Sequence, residues 1–195
     1  MKRIIPLGIV LSAIGMLTAS ASAETIDASV VITAKPDGSD FDYTISLTNT
    51  SGLGNDSIAT FWFAWVPGKD FLPTDPLSVT LPTGWKDVIT HGGSTDGYAI
   101  QFDALSTASD LAPGSSLTFG FKSADTPNEL MGDSPFHPTF PVLTAFVYSQ
   151  GPLEGDGQQI LASFASVPEP SALTLGILGL ASLAALRLLR RKGAA

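Results

Sequence analysis

Tyr43-Thr44-Ile45-Ser46-Leu47 alternates large apolar with small hydroxyl side chains. That is the period of two by which an extended chain buries one face and wets the other. Working outward, Ala28-Val30-Ile32 repeats the pattern upstream, and Tyr98-Ile100-Phe102 and Leu117-Phe119-Phe121 repeat it downstream. Two denser runs, Phe61-Trp62-Phe63-Ala64-Trp65-Val66 and Val142 to Tyr148, suit central strands with little water on either face. Trp62 and Trp65 lie three apart, so they face opposite sides of one strand.

Turn chemistry separates these runs: Pro36-Asp37-Gly38-Ser39, Ser51 to Asp56, Pro82-Thr83-Gly84, His91-Gly92-Gly93-Ser94, Pro113-Gly114 and Gly155-Asp156-Gly157. No long helical stripe competes with them. The spacing predicts an all-β domain over residues 24–166, an antiparallel sandwich of about seven to nine strands, immunoglobulin-like or jelly-roll-like. Leu111-Ala112-Pro113-Gly114-Ser115-Ser116-Leu117-Thr118-Phe119 resembles the Leu-x-Pro-Gly turn-and-strand of bacterial immunoglobulin-like surface modules.

The chain contains no cysteine, which removes thiol nucleophiles, disulfides and thiolate metal sites together. Charge is segregated. Between Glu24 and Asp156 four lysines face seventeen carboxylates, a field that repels nucleic acid. The other bases sit at the two ends.

Residues 1–23 read as a secretory signal peptide: Lys2 and Arg3, an apolar run from Ile4 to Leu17, and small residues closing at Ala21-Ser22-Ala23. Ala21 and Ala23 place the signal peptidase cut after Ala23. An uncleaved membrane helix is the alternative, and export follows in both cases.

At the other end, Val167-Pro168-Glu169-Pro170-Ser171 precedes an apolar stretch, Ala172 to Leu189, followed by Arg190-Arg191-Lys192. As a helix this stretch is about 27 Å long, enough for a hydrocarbon core. Its flanking bases put the tail in the cytoplasm and the acidic domain outside. Pro168 and Pro170 disfavour helix around Glu169, which leaves an extended strand of the kind a protease takes.

Pro-Glu-Pro, one hydrophobic helix and an Arg-rich end together resemble the PEP-CTERM sorting signal, here over residues 167–192. The resemblance implies that an exosortase recognises Pro168, Glu169 and Pro170, and that the protein reaches the cell surface or an exopolysaccharide matrix. An ordinary anchor with a proline-rich stalk also fits the hydropathy. No regular Thr-x-Thr array points to ice binding.

Within the middle segment, Trp62, Trp65 and Trp85 are candidates for a sugar-stacking platform, against the plainer expectation that they fill the core. Asp37, Asp40 and Asp42, or Glu154 and Asp156, offer hard oxygens but lack the spacing of a calcium loop. They read as turn residues. His91 and His137 have no metal-ligand or triad spacing and read as loop residues. Gly92 to Gly97 misses the Gly-x-Ser-x-Gly elbow by one position. No catalytic residue, metal or cofactor is expected.

The expected function is therefore a non-enzymatic exported surface or matrix protein. A carbohydrate-binding or adhesive module with the same delivery is the first alternative. A small secreted hydrolase is the second, for which a cleft with two convergent carboxylates would be the sign.

Overall fold

In the computed structural model, residues 26–52 and 56–165 are described. The expected signal peptide and the sorting signal with its helix lie outside them. Strands β1 (Ala28–Asp37) and β2 (Asp40–Asn49) form a ten-pair antiparallel hairpin. It closes through Gly38-Ser39, with Gly38 at φ 68°, a conformation open to glycine at little cost. The alternation that predicts this hairpin sets its faces: Val30, Ile32, Tyr43, Ile45 and Leu47 are buried.

The remaining strands are β3 (Thr60–Phe63), β4 (Trp65–Val66), β5 (Lys69–Asp70), β6 (Ser78–Thr80), β7 (Trp85–His91), β8 (Tyr98–Ala104), β9 (Ser116–Ser123), β10 (Thr144–Tyr148), β11 (Gly157–Leu161) and β12 (Ser163–Phe164). The first sheet runs β12-β1-β2-β9-β6 and the second β11-β10-β3-β8-β7. All pairs are antiparallel except β12, which runs parallel to β1. The ribbon β4-β5 stands apart. The domain is thus an all-β antiparallel sandwich.

Among the described residues, twelve strands stand where seven to nine were expected. The surplus consists of pieces of two or three residues, β4, β5, β6 and β12, too short to carry an alternation. A five-residue helix, Pro127–Met131, also escapes the strand pattern. It is nucleated by a capping box, in which Thr126 Oγ1 accepts from Glu129 N and Glu129 Oε2 accepts from Thr126 N. The bonds its carboxylate accepts from Thr126 N and Oγ1 hold the Glu129 carboxyl below its usual range.

The inward faces meet through aromatic rings. Phe61 stacks on Phe102 at 5.5 Å, and Phe63 meets Phe121 across the sheets at 5.4 Å. Tyr43, also inward, donates its hydroxyl to Asp125 O, and burial pushes its phenol up.

Alternation makes adjacent residues of β2 unequal. Ile45 is fully buried and Thr44 exposed. Ile45→Ala should cost about 2–5 kcal/mol. Thr44→Ala should stay within about 0.5 kcal/mol. Equilibrium urea unfolding measures both, and equal losses would mean that the two faces are assigned wrongly.

Candidate functional site

In the second sheet the inward positions are Phe61 and Phe63, Ile100 and Phe102, Ala145 and Val147. Their neighbours therefore point outward, and cross-strand register lines them up. One row reads Phe146, Trp62, Gln101, Val88, and the next reads Tyr148, Thr60, Asp103, Lys86. This outward face is not simply wet: Trp62, Thr60, Gln101, Asp103 and Tyr148 are all buried.

Part of the cover comes from Ala64. Its φ of 58° interrupts the strand between β3 and β4. The break shifts the alternation by one, so Trp65 turns back onto the face that Trp62 occupies. The two indoles stack at 3.9 Å, with Phe146 and Tyr148 edge-on to Trp65. The expectation of opposite faces fails for this reason: it assumed one unbroken strand.

Trp85 lies elsewhere, in the core between the sheets. Its Nε1 donates to Ser109 O, and its ring meets Phe119 edge-on at 5.1 Å. All three tryptophans are 5–7 % exposed. None presents an indole face to solvent, so the stacking platform is absent from this structure.

The polar row borders a cleft of about 500 Å³ built by Thr60, Lys86, Asp103, Asp110, Gln150 and Glu154. Asp103 is its best-held group. Its Oδ2 accepts from Gln101 Nε2 at 2.7 Å and has Lys86 Nζ at 3.7 Å. Thr60 Oγ1 lies 3.3 Å from Asp103 Oδ1 and 3.0 Å from Gln150 O, and its single proton serves one of them at a time. Burial pushes the Asp110 carboxyl up. Beside Glu154, Leu153 is exposed at φ 64°.

Sequence reasoning singled out only Glu154 of this group. Gln101 and Asp103 occupy the polar positions of an alternating strand and read as solvent-facing, while Asp110 and Lys86 come from distant segments. The sign available in advance was weak: a strand with polar residues at 101 and 103 whose partner strand, β3, is almost wholly apolar.

At the opposite end of the same sheet, Asp96 ties three segments together. Its Oδ1 accepts from Asp70 N at 3.0 Å, Gly97 N at 3.1 Å and His137 Nε2 at 2.7 Å. Asp70 Oδ1 accepts from Thr90 Oγ1. Burial pushes the Asp70 carboxyl up, assisted by the nearby charge of Asp96. His91, expected in a loop, ends β7 instead, stacked on Tyr98 with Nδ1 at 2.7 Å from Gly97 O.

Among the described residues no three His, Asp or Glu side chains converge on a metal position. Of the aspartates weighed for calcium, Asp37 and Asp40 both face Lys122 Nζ. Asp156 closes the turn to Ser149 through its backbone N–H.

No family model matches this chain. No curated protein matches it either. Among solved structures it is similar to two of a GH20 exo β-N-acetylglucosaminidase from Vibrio harveyi, one an inactive mutant and one in complex with N-acetylglucosamine. Each match has 12% identity and a TM-score of 0.39, and covers 71% of this chain and 18% of that chain. A likeness of this size carries nothing about chemistry.

The Asp70 carboxyl gives a pH test. Burial raises its pKa above the ordinary aspartate value on folding, so the folded state holds the proton longer than the unfolded one. The resulting stabilisation is full below about 3.8 and is lost as pH rises through the folded value. Asp70→Asn keeps an acceptor for Thr90 and removes this loss. The variant's stability relative to the parent should therefore rise with pH across that window, in urea unfolding at a series of pH values. A constant difference would rule the coupling out.

Proposed function

We propose that this chain is a non-enzymatic surface or extracellular-matrix protein: exported by residues 1–23, held in the inner membrane by 172–189, and processed by an exosortase at Pro168-Glu169-Pro170. One observation carries this reading. The sorting-signal sequence begins directly after the sandwich closes. Just past β12, Ala165 N donates to Ile32 O at 2.8 Å, and Pro168 follows three residues later. In sequence the motif thus follows the last strand of the described residues.

Other features fit. The strongly acidic middle suits an exported domain that stays clear of anionic membranes and nucleic acid. The path alternates between the sheets: β1 and β2 in the first, β3 in the second, β6 back, β7 and β8 across, β9 back, β10 and β11 across, β12 back. We take this as the jelly-roll-like form of the sandwich.

Deleting Pro168 to Pro170 in an exosortase-bearing Gram-negative host should leave the anchor attached. The mature mass should rise and the protein should stay with the membrane fraction. An unchanged mass and an unchanged partition between membrane and medium would sink the sorting proposal.

The cleft favours a second reading, a carbohydrate-binding module with the same delivery. Its volume falls within the range of small-ligand sites. Hydroxyl, amide and carboxylate groups line it, as a polyhydroxylated ligand requires. A hydrolase needs two free convergent carboxylates; Asp103 is committed to Thr60, Gln101 and Lys86, which leaves Asp110 and Glu154 as the pair that reading would have to use. Oligosaccharides cut from the host's own exopolysaccharide should bind the parent by calorimetry. Asp110→Asn or Glu154→Gln should weaken that binding about tenfold, the worth of one charge-assisted hydrogen bond. Absent binding, or affinity indifferent to both changes, removes this reading, and release of reducing sugar would restore the hydrolase.

A further inference from the structure

The two sheets differ at their edges. In the first sheet, β12 has two residues, and β6 has three lying between Pro76 and Pro82. Both edges are short, and prolines, which lack the N–H donor, limit how far β6 could extend a ladder. In the second sheet the edges are the five residues of β11 and the seven of β7, neither containing proline. An edge strand carries a row of backbone donors and acceptors with no sheet partner. Along β7 that row comes with apolar side chains: Val88 and Ile89 point to opposite faces and are 44% and 37% exposed.

We propose that β7 pairs antiparallel with β7 of a second copy of this chain, about a two-fold axis at Ile89, joining two five-stranded sheets into one of ten. Self-pairing closes a dimer, whereas β7 against the partner's β11 would propagate as an open chain.

Side-chain parity restricts the register. Inward and outward faces must continue across the joint, so opposed residues must share a face. Two registers centre on the exposed pair. With Val88 opposite itself, Asp87 would face the partner's Ile89, setting a carboxylate against an apolar side chain. With Ile89 opposite itself, Asp87 faces the partner's His91 and Val88 faces the partner's Thr90. The second register matches an acid with a base and pairs β-branched residues twice. Lys86 then faces the partner's Gly92, so no like charges oppose.

The absence of native cysteine makes a single-cysteine reporter clean. Directly opposed residues of an antiparallel pair have Cα atoms about 4.5–5.5 Å apart, within disulfide reach. In the full chain, held in detergent micelles and mildly oxidised, Ile89→Cys should give a disulfide-linked dimer. Leu161→Cys, exposed on β11, should stay unlinked. In a cysteine-free chain, Ile89→Lys should raise the dimer's dissociation constant about tenfold or more, read by sedimentation. A dimer through the membrane helices alone would be indifferent to Ile89→Lys, and that result overturns the proposal. So does linkage through Leu161→Cys that equals or exceeds linkage through Ile89→Cys.

Discussion

Phe119 and Phe121 stand two residues apart on β9 and both enter the space between the sheets. Phe119 meets Phe102 at 4.6 Å, Trp85 at 5.1 Å and Phe61 at 5.8 Å, all from the second sheet. Phe121 meets Phe63 of the second sheet and Tyr43 of its own at 4.7 Å. Such ring pairs add roughly 0.5–1.5 kcal/mol each beyond the area they bury. Gly120 between them completes the device. A Cβ there would sit 3.0 Å from Tyr43 O, so a larger residue would push β9 away from β2 by a few tenths of an ångström. An outward hollow of about 360 Å³ lies over Gly120.

Once alternate residues have filled the interior, the outward residues of the second sheet are free to do something else. Ala64 decides what. Its left-handed conformation costs on the order of 1 kcal/mol for a residue with a Cβ. In return Trp65 folds onto Trp62, and the outward face becomes a small second core. Within that core Trp62 Nε1 is buried without a hydrogen-bond partner among the described residues. Beyond it Gln101, Asp103 and Thr60 satisfy one another. The polar cleft is therefore the margin of an apolar patch, not a hole in the main core.

The hairpin, the buried faces of β1, β2 and β9, and the turns at Gly38 and Gly114 were legible in the sequence, because each follows from a local rule: a period of two, or a positive φ that glycine allows. The cleft was not legible. Its residues come from β3, β7, β8 and two loops, and only strand order brings them together. Trp62 and Trp65 were misread for a narrower reason. Alternation counts residues and cannot see the one, Ala64, whose backbone leaves the strand. The edges were invisible too, since a strand shows its own pattern but not whether a neighbour lies beside it.

Strand polarity decides which end of the sandwich holds the cleft. β12 runs parallel to β1, so it leads the chain out toward the end of the sandwich that holds the Gly38-Ser39 turn. The cleft lies at the other end. Thr60 begins β3, Lys86 is near the start of β7, and Asp103 is near the end of β8. The backbone of Leu111, adjacent to Asp110, accepts from Asn49 Nδ2 at the far end of β2. Antiparallel pairing forces this arrangement, because the termini of β2, β3 and β8 that meet there are fixed by register. The polar cleft thus lies at the end of the sandwich opposite the one toward which β12 runs.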